Sequence, residues 1–347
     1  MPPNDALVAE WLPTLSELDQ AGEIVYQSML PTAQHCWPLL CERFETQVWV
    51  KHENHTPIGA FKLRGGLVYF QQLRQRERHL RGVVSATRGN HGQSIGFAAR
   101  KFGIPATIVV PHGNSVEKNA AMRALGVELV ENGADFQDAR QFAETLAAAR
   151  GWHMLPSFHR DLVLGVASYS LELLRAVAHL DVIFVPIGLG SGICGLISAR
   201  EALGLSTEIV GVVSEQAPAY SLSFARREKI EAPVTTVLAD GMACRIPEMQ
   251  ALEIIWRYVS RVVSVTDQEI SNAMQIYFTD THNVAEGAGA APLAAALKER
   301  ESLRGKTIGL VLTGGNVDQR VFRSVLQDTI VDGLENQPVD IGRRKNV

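Results

Sequence analysis

The 347-residue sequence predicts an α/β fold built on parallel sheet, and three observations carry that prediction. From residue 45 onward, short β-branched runs alternate with longer amphipathic stretches, the rhythm of βαβ crossovers. The runs 104–110 and 182–187 are apolar almost throughout, as strands are when helices cover both sheet faces. Glycine-rich segments directly follow several of these runs, and open α/β sheets bind ligands beyond the carboxyl ends of their strands. Single cores stop growing near ~250–300 residues, so the length implies two domains or one large α/β unit.

In chain order, strands are expected at residues 47–51, 82–86, 106–110, 127–130, 182–187, 208–213 and 307–312. Helices are expected between them at 92–101, 117–125, 136–150, 162–179 and 267–279. The polar tail after Asp332, with its cluster Arg343, Arg344 and Lys345, reads as a solvated end. No repeat and no low-complexity tract interrupts the pattern.

Composition excludes several function classes. With 33 basic against 37 acidic side chains, the formal net charge is −4 and supplies no field for nucleic acid or an anionic membrane. Cys36, Cys41, Cys194 and Cys244 form neither a disulfide framework nor a CxxC zinc pair. Residues 1–20 lack the basic stretch and apolar core of a signal peptide, and no run approaches the ~18 apolar residues of a membrane span. The expected setting is cytoplasmic.

Four segments carry candidate chemistry. After the run at 182–187 comes Gly188-Leu189-Gly190-Ser191-Gly192, opening a helix. Its glycines let backbone N–H groups converge beside the positive end of a helix dipole, which suits a phosphate. It lacks the Lys-Ser/Thr of a Walker loop and the full dinucleotide spacing, and a tight turn without ligand fits it equally. Earlier, Gly59-Ala60-Phe61-Lys62-Leu63-Arg64-Gly65-Gly66 sets a lysine between apolar neighbours. If buried, that amine loses proton affinity and becomes a Schiff-base candidate; if exposed, its stem merely covers a helix start. Thr87-Arg88-Gly89-Asn90-His91 follows another strand and could offer N–H groups to a carboxylate. Thr313-Gly314-Gly315-Asn316 follows the last strand in the same manner.

These four motifs, in this order, resemble those of pyridoxal-phosphate enzymes of fold type II, most closely the threonine/serine dehydratases. The likeness spans roughly residues 25–328. It implies two open α/β lobes of the tryptophan synthase beta-like type, with pyridoxal 5'-phosphate in the cleft between them. Residues 82–158 form the small inserted domain in that reading, and 1–81 with 159–347 the large one. The resemblance makes Lys62 the residue that binds the cofactor and removes the substrate α-proton, with Phe61 beside it. Asn90 faces the pyridine hydroxyl, and Gly188, Leu189, Gly190, Ser191 and Gly192 cradle the phosphate. Thr313 faces the pyridine nitrogen, and Glu286 lines the pocket. Thr87, Arg88, Gly89 and His91 are candidates for the substrate carboxylate. The implied reaction turns a β-hydroxy-α-amino acid into a 2-oxo acid and ammonia. β-Replacement of the cysteine-synthase kind and a non-catalytic cofactor-binding protein are the rival readings. A hydroxyl at the ring nitrogen supplies no charge partner, so the ring is a weaker electron sink, which favours prompt elimination. The family also implies a homodimer or homotetramer, and the short segment after the last helix leaves little room for a regulatory domain.

Departures from the family pattern carry information. Arg88 stands where Ser-Gly-Asn-His is usual; racemases of the family use that serine as an acid, so racemisation is not expected. Arg88 is a candidate for the distal carboxylate of a dicarboxylate substrate, with solvent exposure or a structural ion pair as alternatives. Thr56 and Ala60 also differ from the usual residues. Relatives that bind a divalent cation carry a carboxylate in Gly-Val-Glu-Pro; here Glu215 is displaced by two positions, and no metal site is expected. His52, His55 and His91 lack metal-ligand spacing, and Cys194 reads as a small buried residue.

Overall fold

Two separate, mostly parallel sheets carry the fold, and their central strands are buried on both faces. The computed structural model describes Val8 and residues 11–327; most of the N-terminal ten residues and the cluster Arg343–Lys345 lie outside the described residues. In chain order the strands are β1 (Gln34–Cys36), β2 (Val48–His52), β3 (Val83–Ala86), β4 (Ala106–Val110), β5 (Glu128–Glu131), β6 (His153–Met154), β7 (Val182–Pro186), β8 (Glu208–Ser214), β9 (Arg261–Val265) and β10 (Ile308–Leu312). The helices are α1 (Leu15–Tyr26), α2 (Pro38–Phe44), α3 (Lys62–Arg76), α4 (Asn90–Phe102), α5 (Val116–Ala124), α6 (Phe136–Arg150), α7 (Arg160–Ala176), α8 (Ser191–Ala202), α9 (Ala219–Arg226), α10 (Met249–Tyr258), α11 (Asp267–Thr281), α12 (Gly287–Lys298) and α13 (Gln319–Leu326).

One sheet has six strands in the order β1-β2-β10-β7-β8-β9, the other four in the order β5-β4-β3-β6. All pairings are parallel except β1 with β2. The four-stranded sheet is drawn entirely from residues 83–154, and the strands of the larger sheet flank that segment in the chain. Seven strands and five helices match the sequence expectation to within a few residues at each end. β1, β6 and β9 were not expected. β1 is three residues long and antiparallel, β6 has two residues, and β9 is a half-buried edge strand without the apolar run of a central one.

Charge and close backbone contact together fix helix α3, whose first residue is Lys62. Arg64, fully buried, donates from Nε to Glu53 Oε2 at 2.7 Å and from Nη1 to Glu172 Oε1 at 2.6 Å. Lys51 reaches the same Glu172 at 2.6 Å, so two cations and two carboxylates neutralise one another inside the larger lobe. Helix α7 lies directly against α3: a Cβ on Gly65 would sit 2.7 Å from the Leu162 carbonyl oxygen, and one on Gly165 only 2.2 Å from that of Arg64. Glycines on both helices permit that approach.

Candidate active site

The ends of β2, β3, β7 and β10 and the loops after them converge on one cavity of about 640 Å³. Phe61, Lys62, Asn90, Ser191, Glu286 and Thr313 all line it, and so do Thr87, Arg88, Gly89, His91, Gly188, Leu189, Gly190 and Gly192. The four motifs, scattered over some 250 positions of sequence, therefore share one wall.

Lys62 stands at the start of α3 and donates from Nζ to Ser191 Oγ at 2.8 Å. Its ammonium also lies 4.8 Å from the centre of the Phe61 ring. Burial away from bulk water pulls its pKa down to about 8. The turn that carries it is clamped to the loop after β10. The Phe61 N–H donates to the Thr313 carbonyl at 3.0 Å, and the Gly315 N–H to the Gly59 carbonyl at 3.0 Å. Ser94 Oγ donates to the Lys62 carbonyl at 2.7 Å, which ties the lysine to α4.

The loop after β7 turns sharply into α8. Gly190 has φ +103°, and a Cβ there would lie 2.6 Å from Ala251 Cβ; one on Gly188 would lie 2.4 Å from the Gly241 carbonyl oxygen. Neither position has room for a side chain, and the helix that follows starts at Ser191, where the first N–H groups of a helix have no intrahelical partner. Tyr220 Oη donates to the Leu189 carbonyl at 2.9 Å and Tyr169 Oη to the Gly192 carbonyl at 3.2 Å, holding the loop from behind. Cys194 is fully buried and burial pushes its thiol pKa up, so it offers no nucleophile.

A polar chain crosses from one sheet's helices to the other's. Asn90 Nδ2 donates to Glu286 Oε1 at 2.7 Å, and Asn316 Nδ2 donates to Asn90 Oδ1 at 2.9 Å. Glu286 Oε2 lies 3.3 Å from Lys118 Nζ, which donates to Asp240 Oδ2 at 2.6 Å. Burial raises the Glu286 pKa against the pull of Lys118. Burial alone would lower the Lys118 pKa, but the Asp240 and Glu286 carboxylates outweigh it and raise it. Lys118 and Asp240 were not singled out from sequence. Their pairing spans 122 positions, and no local pattern marks either residue.

His91 is buried with Nε2 unpartnered; burial, and then the nearby Lys62 charge, hold its pKa near 3, so it is neutral. Thr87 Oγ1 accepts from the Gly89 N–H at 3.0 Å and shapes the turn into α4. Arg88 is half-buried along the cavity. Among the described residues no group of three His, Cys, Asp or Glu side chains is placed to hold a metal ion, and Glu215 lies 3.6 Å from Lys298 Nζ.

A lysine amine poised near neutrality, hydrogen-bonded to the first residue of a helix that opens from a glycine turn, suits a cofactor that carries both an aldehyde and a phosphate. The fold and site thus define an α/β enzyme of the pyridoxal-phosphate class. Residues 29–314 match the family model described as pyridoxal-phosphate dependent enzyme. The L-threonine ammonia-lyase of Thermotoga maritima is 32% identical over 321 residues, 92% of this chain and 79% of that protein. The L-threo-3-hydroxyaspartate ammonia-lyase of Saccharomyces cerevisiae is 30% identical over 328 residues, 94% of this chain and 99% of that protein. A crystal structure of a pyridoxal 5'-phosphate-dependent aspartate racemase superposes with TM-score 0.84 at 27% identity, covering 88% of this chain and 97% of that one. The chain belongs to the pyridoxal-phosphate-dependent enzymes, in the threonine/serine dehydratase family of fold type II. Among the described residues, no helix is long and apolar enough to cross a membrane.

Proposed function

We propose that the protein is a dehydratase that converts a β-hydroxy-α-amino acid into a 2-oxo acid and ammonia. The observation that carries the reading is the 2.8 Å hydrogen bond between Lys62 Nζ and Ser191 Oγ, which sets the amine beside the N–H cradle. The ammonia-lyases among the relatives support the reaction class.

Pyridoxal phosphate, when bound, supplies the electron sink that makes an amino acid's α-proton removable. The Gly188–Gly192 N–H groups and the start of α8 would hold its phosphate, Asn90 its ring hydroxyl, and Thr313 its ring nitrogen. Glu286 orients Asn90 by accepting its amide proton at 2.7 Å. The substrate's α-carboxylate would rest at the start of α4 on the His91 N–H, beside the Thr87 hydroxyl; the Gly89 N–H, bound to Thr87 Oγ1, would hold that hydroxyl in place. Lys62 Nζ, with its pKa near 8, takes the α-proton and can return it near neutral pH. Arg88 is a poor proton donor because a guanidinium keeps its charge, so inversion at the α-carbon has no acid on that residue. In this proposal residues 82–158 are the small domain, and the protein is a cytoplasmic homodimer or homotetramer.

The test is product analysis on serine, threonine and 3-hydroxyaspartate, each supplied alone. Equal amounts of 2-oxo acid and ammonia from at least one are expected, and none from Lys62→Ala. A strict requirement for an added nucleophile would make it a β-replacement enzyme instead.

A further inference from the structure

Arg88 is a half-buried cation in the cleft whose guanidinium has neither a hydrogen bond nor an ion pair among the described residues. Other cations of the same cavity are engaged. Lys118 meets Asp240 and Glu286; Arg245 meets Asp135 at 2.9 Å; Arg140 meets Glu144 at 3.2 Å. Lys62 is held by Ser191, and Lys229, at the rim, is exposed to water. Of the alternatives open from sequence, a structural ion pair is not found for Arg88 among the described residues, and the residue is half-buried where it lines the cleft.

A guanidinium cannot shed its charge when partly desolvated, so its free energy falls when an anion reaches it. Its planar fork matches a carboxylate in two parallel hydrogen bonds. The cleft offers two helix starts for two other anions: α8 behind the glycine turn for a phosphate, α4 for an α-carboxylate. Arg88 is left for a third. Because it sits at the turn into α4, that third anion belongs to the same molecule as the α-carboxylate.

We infer that Arg88 is a specificity-determining residue that binds an acidic group on the substrate side chain. Resting on the dehydratase reading above, this narrows the substrate class to β-hydroxy-α-amino acids with a second carboxylate, of the 3-hydroxyaspartate type.

The holoenzyme, Arg88→Ala and Arg88→Lys are compared in two measurements. The first is the ratio of kcat/KM for threo-3-hydroxyaspartate over serine. It should favour the dicarboxylate in the wild type, fall on the order of 10- to 100-fold in Arg88→Ala, and recover in part in Arg88→Lys. The second is the Kd of L-aspartate relative to L-alanine, which lack the β-hydroxyl, read from the cofactor absorbance. That preference should fall in Arg88→Ala by a similar factor. An unchanged ratio in both measurements, a parallel loss for both ligands, or a wild-type preference for an aryl serine would overturn the inference. If the wild type turned over no hydroxy amino acid yet bound aspartate in an Arg88-dependent way, the dehydratase reading alone would fail.

Discussion

Asn90 and Glu286 are joined by a 2.7 Å hydrogen bond although 196 positions separate them, one opening α4 and the other preceding α12. This bond ties a helix packed on the four-stranded sheet to one packed on the six-stranded sheet, in the wall of the cavity. Glu286→Ala would strip Asn90 of its acceptor and Lys118 of one of two carboxylates. A loss of about 1–3 kcal/mol is expected in urea unfolding, with a smaller loss in Glu286→Gln, which keeps an acceptor for Asn90. Equal stability of wild type and Glu286→Ala would show that the bridge is idle.

Loading of cofactor-free protein should follow the ionisation of Lys62. Only the free amine attacks an aldehyde, and burial moves its pKa from 10.5 to about 8. The attachment rate measured by stopped-flow absorbance should rise with pH, bend near 8, and level off above. A rate still climbing steeply between 9 and 10.5 would mean that the amine is solvated like an ordinary lysine.

The buried charge group behind Lys62 is expected to be a strong determinant of stability. Arg64→Met would leave Glu53 and Glu172 facing each other with only Lys51 to compensate. A cost of about 3–5 kcal/mol follows from exposing paired charges to an apolar interior. Thermal and denaturant unfolding both read it; a change below 1 kcal/mol would mean that water reaches the group.

Gly190→Ala tests the cradle. An alanine at φ +103° and 2.6 Å from Ala251 Cβ must shift the turn, at a cost of about 1–3 kcal/mol. The Kd for pyridoxal phosphate should rise in step, since the moved N–H groups are those assigned to the phosphate. Unaltered cofactor affinity would place the phosphate elsewhere.

What the sequence revealed and what it hid follow from burial and range. Strands β4, β7 and β10 announce themselves because every position is buried and, Thr107 apart, none is polar. Edge strands β1 and β9 are half-buried, so their composition blends with loops. Lys62, Asn90, the glycine turn and Thr313 were legible because each sits in a short local motif. Lys118 and Asp240 were not, because their meaning lies in a contact between distant segments. Arg88 was visible as an oddity, but its lack of an ion-pair partner depends on three-dimensional neighbours that no single stretch of sequence specifies.

Peptide mass spectrometry of the holoenzyme after borohydride reduction reads directly which lysine carries the cofactor. The pyridoxyl phosphate mass is expected on the peptide containing Lys62, with no label in Lys62→Ala. Label on another lysine such as Lys51 or Lys118, or none on the wild type, would contradict it.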